Sequence, residues 1–369
     1  MRAGKEQTLV AAPEPTQEPD RAETQTAWPL YNPVTESTWQ FYMDLAEGVF
    51  YLGQMENCAE LLARAVNEAT EFGPRDPRLA KSLNGLGVLY CYLGKYSEAE
   101  PLFTKAISIN EKAIGPEHPD VATGYYNLAG AYKLQRKYED AATMYEQALG
   151  IAERVLGTGH PDVALFLERL GEVYVSLGRR TAALFAFRRA LGIRESTLGR
   201  VDWSVAVTLS KLGDFYLADG RYNEAEPLLW RSLWIKQTIV GNRDRSLLKE
   251  VGKMAQLYSA QRKFDQAELM FQRALNMLEE ALAPDYPDLV ISLKALARVY
   301  RAQGRFTEAK NLLKICLSIL EKALGPKHPE TSVTMEYYTE ILRVAHLDAV
   351  KGSKASIKHR HEQGTVPPF

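Results

Sequence analysis

A unit of 42 residues recurs along most of this chain. Residues 115–156 form one copy, and the small residue that begins it recurs at Gly73, Gly115, Gly157, Gly199, Gly241, Ala283 and Gly325. A tyrosine keeps the same interval at Tyr90, Tyr132, Tyr174, Tyr216, Tyr258 and Tyr300. A sustained period of about 20–50 residues predicts a solenoid, in which each unit buries its apolar face only against its neighbours.

Each unit contains two helical patterns separated by a short polar break. In the copy at 115–156, apolar side chains follow the i, i+3, i+4, i+7 spacing of one helix face at Tyr125, Leu128, Ala129 and Tyr132. After the break at 135–137, the second pattern has Ala141, Tyr145, Ala148 and Ile151. The repeating unit is therefore predicted to be a helical hairpin.

Two columns of small residues run through the repeats. The first helices carry Ala46, Gly87, Ala129, Gly171, Gly213, Ala255 and Ala297. The second helices carry Ala99, Ala141, Ala183, Ala225 and Ala267. Small side chains let two helix backbones approach closely, and a bulky replacement is expected to overpack the contact by roughly 1–3 kcal/mol.

This order of residues resembles the tetratricopeptide repeat (TPR), which has bulky, Leu, small and Tyr positions on its first helix and Ala, aromatic and Ala on its second. The longer unit with its Gly-Pro-x-His-Pro linker, seen at 115–119, looks like the variety found in kinesin light chains, nephrocystin-type proteins and many bacterial repeat proteins. The resemblance implies an all-α fold: a right-handed superhelical solenoid of about seven helix-turn-helix repeats plus a C-terminal capping helix.

The pattern divides the chain into three parts. Residues 1–37 are rich in Pro, Glu and Thr and are expected to be disordered. The repeats are expected at about 38–72, 78–114, 119–156, 161–198, 203–240, 245–282 and 287–324, and a lone helix at 329–347 completes the TPR solenoid of 38–347. Residues 348–369 are expected to form a disordered basic tail.

Nothing in the sequence predicts an enzyme, a cofactor or a metal site. His118, His160 and His328 occupy one linker position in three separate repeats, which favours helix capping over the convergence that a zinc ion needs. Cys58, Cys91 and Cys316 lie in different repeats and are interpreted as packed thiols. No apolar run reaches the roughly 18 residues of a membrane helix, and a cytoplasmic, monomeric protein is expected.

The candidate binding residues lie on the first helices, beside the packing stripe. By resemblance to TPR domains, this second stripe lines the concave groove. The predicted peptide-binding residues are Asn84, Val88, Tyr92, Tyr126, Asn127, Lys133, Arg169, Lys211, Lys249, Lys253, Lys294, Arg298 and Arg301. The set is basic although the formal net charge of the chain is −1. We therefore expect an acidic peptide, with an apolar anchor toward repeats two and three.

The kinesin light chain resemblance implies the same ligand class, since the groove of that family takes acidic peptides that carry a tryptophan. Its first helices typically read Asn-Asn-Leu-Ala, and here Asn127-Leu128-Ala129 keeps the second Asn while Asn84 keeps the first. The peptide-backbone role that the resemblance implies for this Asn transfers to Asn127 alone.

The sequence thus predicts a non-enzymatic scaffold or adaptor that binds a peptide segment of a partner protein in its concave groove. One alternative is an architectural protein that self-associates end to end or through Trp230 and Trp234. Another is RNA binding by the basic groove, which the neutral and acidic first half disfavours, since phosphate contacts require a basic surface.

Overall fold

The computed structural model describes residues 38–279 and 286–363, and side chains within 38–277 and 289–346. The expectation for residues 1–37 lies outside the described residues. The chain divides into two compact units, Met1–Arg200 and Val201–Phe369.

The first unit contains four helical hairpins. They are formed by α1 (Thr38–Tyr51) and α2 (Met55–Glu71), α3 (Pro77–Tyr92) and α4 (Tyr96–Ala113), α5 (Pro119–Leu134) and α6 (Tyr138–Leu156), and α7 (Pro161–Ser176) and α8 (Arg180–Leu198). The two helices of each hairpin pack together, and the second helix packs on the first helix of the next hairpin. The largest core cluster extends from Ala99 to Ile193 and includes the buried side chains of Phe103, Tyr145 and Phe166. Two smaller clusters lie among α1 to α4.

The second unit contains three hairpins and a final helix. They are α9 (Trp203–Ala218) and α10 (Tyr222–Val240), α11 (Leu248–Ala260) and α12 (Phe264–Glu279), α13 (Tyr286–Ala302) and α14 (Phe306–Ala323), and α15 (Pro329–Gln363). A 3-10 turn at Arg245–Leu247 precedes α11. The predicted all-α fold of helical hairpins is confirmed, and none of the described helices is both long and apolar enough to cross a membrane.

The small columns lie in the buried contact between the two helices of a hairpin. All their members are buried. A Cβ atom placed on Gly87 would lie 2.6 Å from the Phe103 ring, and one on Gly213 would lie 2.5 Å from Leu229. Real Cβ atoms do not approach so closely, so the opposing large side chain occupies the space that the glycine leaves.

In every described hairpin except the first, the turn is built by a repeated helix-ending motif. A residue in the left-handed region, with φ from 60° to 77°, recurs at Gly94, Arg136, Gly178, Gly220, Arg262 and Gly304. The next residue, which is always basic, donates its backbone N–H to the carbonyl of the tyrosine five positions earlier, over 2.8–2.9 Å. This is the six-to-one bond of a Schellman motif, which satisfies a carbonyl that the helix end leaves unpaired.

The same basic residue also covers the ring of that tyrosine. The charged groups of Lys95, Lys137, Arg179, Arg221, Lys263 and Arg305 lie 4.1–6.0 Å from the ring centroids. At this distance a cation is attracted to the negative face of an aromatic ring. The tyrosine column predicted from the period is thus part of the turn.

Several of these tyrosines also bond to the preceding repeat. The hydroxyl of Tyr132 donates to Glu100 over 3.1 Å, that of Tyr174 donates to Glu146 over 2.8 Å, and that of Tyr300 donates to Glu268 over 2.8 Å. These three tyrosines therefore link their own turns to the second helix before them.

The structure differs from the expectation at the C-terminal end. The capping helix was expected to end at Leu347, but α15 continues to Gln363. Between these positions the sequence has a single Gly and no Pro, while Ala, Lys and Arg favour helix. The first proline, Pro367, lies beyond the helix end.

Replacing Gly213 by Val is expected to lower the urea midpoint of unfolding, because the added side chain meets Leu229 across the hairpin. Overpacking of this kind costs about 1–3 kcal/mol. Gly252→Val is the control, since Gly252 lies on a helix of the same unit with no atom near its Cβ position. Equal midpoints for the two variants would contradict the close-approach assignment.

Candidate functional site

The linker histidines act as helix caps. The Nδ1 atoms of His118, His160 and His328 accept the backbone N–H two residues ahead, over 3.1–3.3 Å. Asp202 and Asp244 do the same in their repeats, over 2.7 and 2.8 Å. An acceptor here satisfies one of the free N–H groups of a helix start, so the prediction of capping is confirmed. Within the described part of the chain, no group of three His, Cys, Asp or Glu residues could hold a metal ion.

The three cysteines are free thiols inside the repeats, as predicted. Cys58 and Cys316 are buried, and Cys91 is half-buried. Burial raises the pKa of Cys58 and of Cys91 to about 11 and that of Cys316 to about 12. A buried, protonated thiol is a poor nucleophile.

In the first unit, Asn84 and Asn127 bond to each other. The Nδ2 of Asn127 donates to the Oδ1 of Asn84 over 3.1 Å, and Asn127 is buried. The side chain that the resemblance assigns to a peptide backbone is therefore committed to the neighbouring repeat in this structure.

Tyr126 belongs to the core rather than to an exposed surface. It is 7% exposed, its ring stacks on Phe166 at 4.9 Å and meets Tyr145 edge-on at 5.4 Å. Burial also raises the pKa of its hydroxyl. Of the anchors expected in repeats two and three, Val88 and Tyr92 remain half-buried, and Tyr92 packs against Phe50 at 5.4 Å.

The basic residues of this first-helix face are paired with acids. Glu172 forms ion pairs with both Lys133 and Arg169, and its distance to Arg169 is 3.4 Å. Next to them, Glu168 and Arg194 form a pair that is almost fully buried, at 2.5 Å. The face of this unit is therefore a network of satisfied charges.

The second unit has a similar network on α9 to α11. Lys253 donates to Asp214 over 2.5 Å and to Ser210 over 2.6 Å, and Lys236 donates to the buried Glu250 over 2.6 Å. Burial raises the pKa of Asp214, although Lys253 acts in the opposite direction. Lys211 is half-buried on the same helix as Asp214.

Further along this unit, the predicted cations fall into two groups. Lys294 lies 3.5 Å from Glu330, and Arg301 lies 2.6 Å from Glu340. Lys249 and Arg298 are exposed, and no ion pair joins them to any side chain that the structure describes.

Sequence reasoning missed Ile291, which stands at the repeat position of Lys249, 42 residues later. It lies on α13 and is 59% exposed. The signal that could have revealed Ile291 is its place in the 42-residue period, where it is equivalent to the predicted residue Lys249. We call Lys249, Ile291 and Arg298 the α11–α13 patch. It combines two cations that have no ion pair among the described side chains with an exposed aliphatic side chain, on consecutive first helices.

Comparison with known proteins identifies the repeats. The family described as Tetratricopeptide repeat matches residues 40–112, 90–154, 120–196, 204–280, 248–322 and 291–345. This chain belongs to the tetratricopeptide repeat family. TPR proteins generally act as protein–protein interaction scaffolds, and none of the matched regions is a catalytic domain. A search of curated sequences gave no significant match.

Solved structures with TPR repeats resemble this TPR chain. BtubC (BKLC) from P. vanneervenii is 25% identical with a TM-score of 0.55, over 60% of this chain and 90% of BtubC. The apo form of RapI is 15% identical with a TM-score of 0.58, over 78% of this chain and 98% of RapI.

A third similar structure is the STAND protein with a tetratricopeptide repeat sensor from Pyrococcus horikoshii. It is 17% identical with a TM-score of 0.63, over 78% of this chain and 44% of that protein. At this identity, the likeness to RapI and to the STAND protein shows the fold alone.

Removing one partner of the buried pair in the first TPR unit is expected to destabilise it strongly. Arg194→Ala removes the buried guanidinium that pairs with Glu168, and breaking a buried ion pair costs about 3–5 kcal/mol. Arg154→Ala is the control, since its pair with Glu117 is solvent-exposed and is expected to shift the urea midpoint little. Similar midpoint shifts for both variants would show that the Arg194 pair carries no special energy.

The thiols of the folded protein are expected to react slowly with iodoacetamide. With a pKa of about 11, Cys91 has at about pH 8 a thiolate fraction roughly 10²-fold below that of an ordinary cysteine, whose pKa is about 8.5. Labelling followed by mass spectrometry is therefore expected to accelerate as the pH rises and to become fast when the chain is unfolded by guanidinium. Rapid native labelling of Cys91 near neutral pH would rule out the raised pKa.

Proposed function

We propose that this protein is a non-enzymatic scaffold or adaptor that binds an acidic peptide segment of a partner protein, with an apolar anchor, on its first-helix face. Membership of the TPR family supports protein binding. The conserved use of small residues for packing leaves the outer positions of the first helices free to vary between repeats, and these positions carry the candidate residues.

The α11–α13 patch is the observation that carries this proposal. Most of the basic residues predicted for the groove, including Lys133, Arg169, Lys253, Lys294 and Arg301, already face carboxylates of their own chain. Lys249 and Arg298 are the predicted cations that remain exposed without such a partner among the described side chains. A ligand carboxylate at these two positions would not have to break an ion pair among the described side chains, although Lys249 acts to lower the pKa of Asp214.

The apolar part of the patch contributes binding free energy beyond that of the ion pairs. An exposed ion pair contributes roughly 0.2–1 kcal/mol, while association costs about 4–15 kcal/mol. Two such pairs would give weak binding. Burying an aliphatic side chain such as Ile291 adds about 1.5–3 kcal/mol, and its partner side chain on the peptide adds a similar amount. Micromolar affinity, about −8 kcal/mol, needs a ligand that uses both.

The first unit contributes a second, more rigid surface in this proposal. Its paired charges and the Asn84–Asn127 bond hold the side chains in fixed positions, and Val88 and Tyr92 offer half-buried apolar contacts. Such a surface selects for shape more than for charge. We further infer a cytoplasmic monomer, which the free thiols favour because disulfides are rare in reducing compartments.

Self-association is the second candidate function. Trp230 and Trp234 are 39% and 52% exposed on α10, and exposed aromatic groups are frequent at protein interfaces. A molecular mass in sedimentation that rises with protein concentration would support this candidate, whereas a constant monomer mass supports the adaptor.

The charge-reversal variant Lys249→Glu/Arg298→Glu is expected to lose the partner proteins that the wild type retains in a pull-down, because like charges would then face the acidic segment. Ile291→Ser is expected to weaken the same interactions, since it removes the apolar anchor. The control is Lys314→Glu/Lys322→Glu, which reverses two exposed charges on α14. An identical partner set for all the variants would refute the proposal.

A further inference from the structure

A cleft lies between α10 and α12, the second helices of two consecutive repeats in the second unit. Its volume is about 620 Å³, within the range of about 300–1,000 Å³ typical of ligand sites. Because it is formed by second helices and the connection after α10, it is separate from the first-helix face discussed above.

The cleft contains a guanidinium whose partners among the described residues are neutral. Arg273 is half-buried and donates from Nη2 to the backbone carbonyl of Asn242 over 3.2 Å. The amide of Gln237 faces the same guanidinium, with its oxygen accepting. No ion pair joins Arg273 to a described carboxylate, and burial lowers its pKa. Folding has therefore already removed part of the water around this cation. A ligand that binds it has less desolvation to overcome.

The walls of the cleft are apolar. Trp230 forms one side, and its Nε1 is fixed by a 2.8 Å bond to the hydroxyl of Tyr258. Leu269, which is 63% exposed, and Met277 form the other side. A rigid aromatic wall facing flexible aliphatic side chains suits an apolar group of variable shape.

The charge of the lining identifies the kind of group that would fit. Arg243 adds a second guanidinium, and the described lining residues include no Asp or Glu. A carboxylate can bind a guanidinium through two parallel hydrogen bonds, which are about twice as strong as neutral ones. A second copy of the same surface would instead bring like charges together, because both copies would present Arg243 and Arg273.

We propose that this cleft is a second peptide-binding site, which takes an acidic residue of a partner protein next to an aromatic or aliphatic side chain. The carboxylate binds Arg273, and the apolar neighbour packs between Trp230 and Leu269. The protein then holds two partner segments at once, one on its first helices and one on its second helices.

The test uses a display library of random dodecapeptides, selected on the wild-type full chain and then counter-selected on Leu269→Glu. Leu269 is mostly exposed, so this variant is expected to fold. The recovered peptides should combine Asp or Glu with an aromatic or aliphatic residue, and should bind Arg273→Gln at least tenfold more weakly than the wild type. Recovery of no Leu269-dependent peptide, or of peptides without an acidic residue, would overturn the proposal.

Two matched variants keep the result specific to the cleft. Phe185 occupies the position of Leu269 two repeats earlier and is 67% exposed, so Phe185→Glu should bind the recovered peptides as the wild type does. Lys249→Glu/Arg298→Glu should also bind them unchanged. If this double variant loses them, the peptides sit on the first-helix face, and the cleft is not their site. Circular dichroism of Arg273→Gln checks that its helices are intact. If they are not, Leu269→Glu alone tests whether peptide binding depends on the cleft.

Discussion

The structure depends on the close approach of two helix backbones within every hairpin. Where the first helix has glycine, as at Gly87, Gly171 and Gly213, a large side chain from the second helix fills the vacant volume. Elsewhere alanine serves the same purpose, as at Ala129 and Ala255. Because this contact is internal to the hairpin, it leaves the remaining sides of both helices free. One side of each then packs on the neighbouring repeat, and the other is exposed to solvent.

This constraint explains why so much of the fold could be predicted from the sequence. The buried columns, the tyrosine interval and the capping residues all recur with the period, so each copy corroborates the others. The basic residue after each turn has the same regularity at Lys95, Lys137 and Arg179, but its role depends on the six-to-one bond and the ring contact. Neither interaction could be predicted from the sequence, because both depend on the geometry of the folded turn. The extension of α15 to Gln363 has no such repetition, and weak helix propensity alone had to decide it.

The candidate site was harder to predict, for an electrostatic reason. A lysine or arginine on a first helix appears free when its sequence neighbours are neutral, yet its partner lies on the next repeat. The pairs Lys133–Glu172, Asp214–Lys253 and Arg301–Glu340 are each 39 residues apart. Opposite charges at this separation were therefore a usable signal for these three pairs. Tyr126 shows the opposite error. Its position on the helix predicted an exposed binding residue, but the rings of Tyr145 and Phe166 enclose it.

The turn motif has a consequence for how a chain of this kind changes over time. Each turn is closed by atoms that lie within six residues of one another, and tyrosines such as Tyr132 and Tyr300 bond to the helix just before them. A duplication or deletion of 42 residues, begun at any point of the unit, therefore rejoins compatible ends. The bonds of the turn and of the tyrosine can then form again across the new junction. A change of any other length misaligns them. The length of such a protein is thus free to evolve in steps of one repeat.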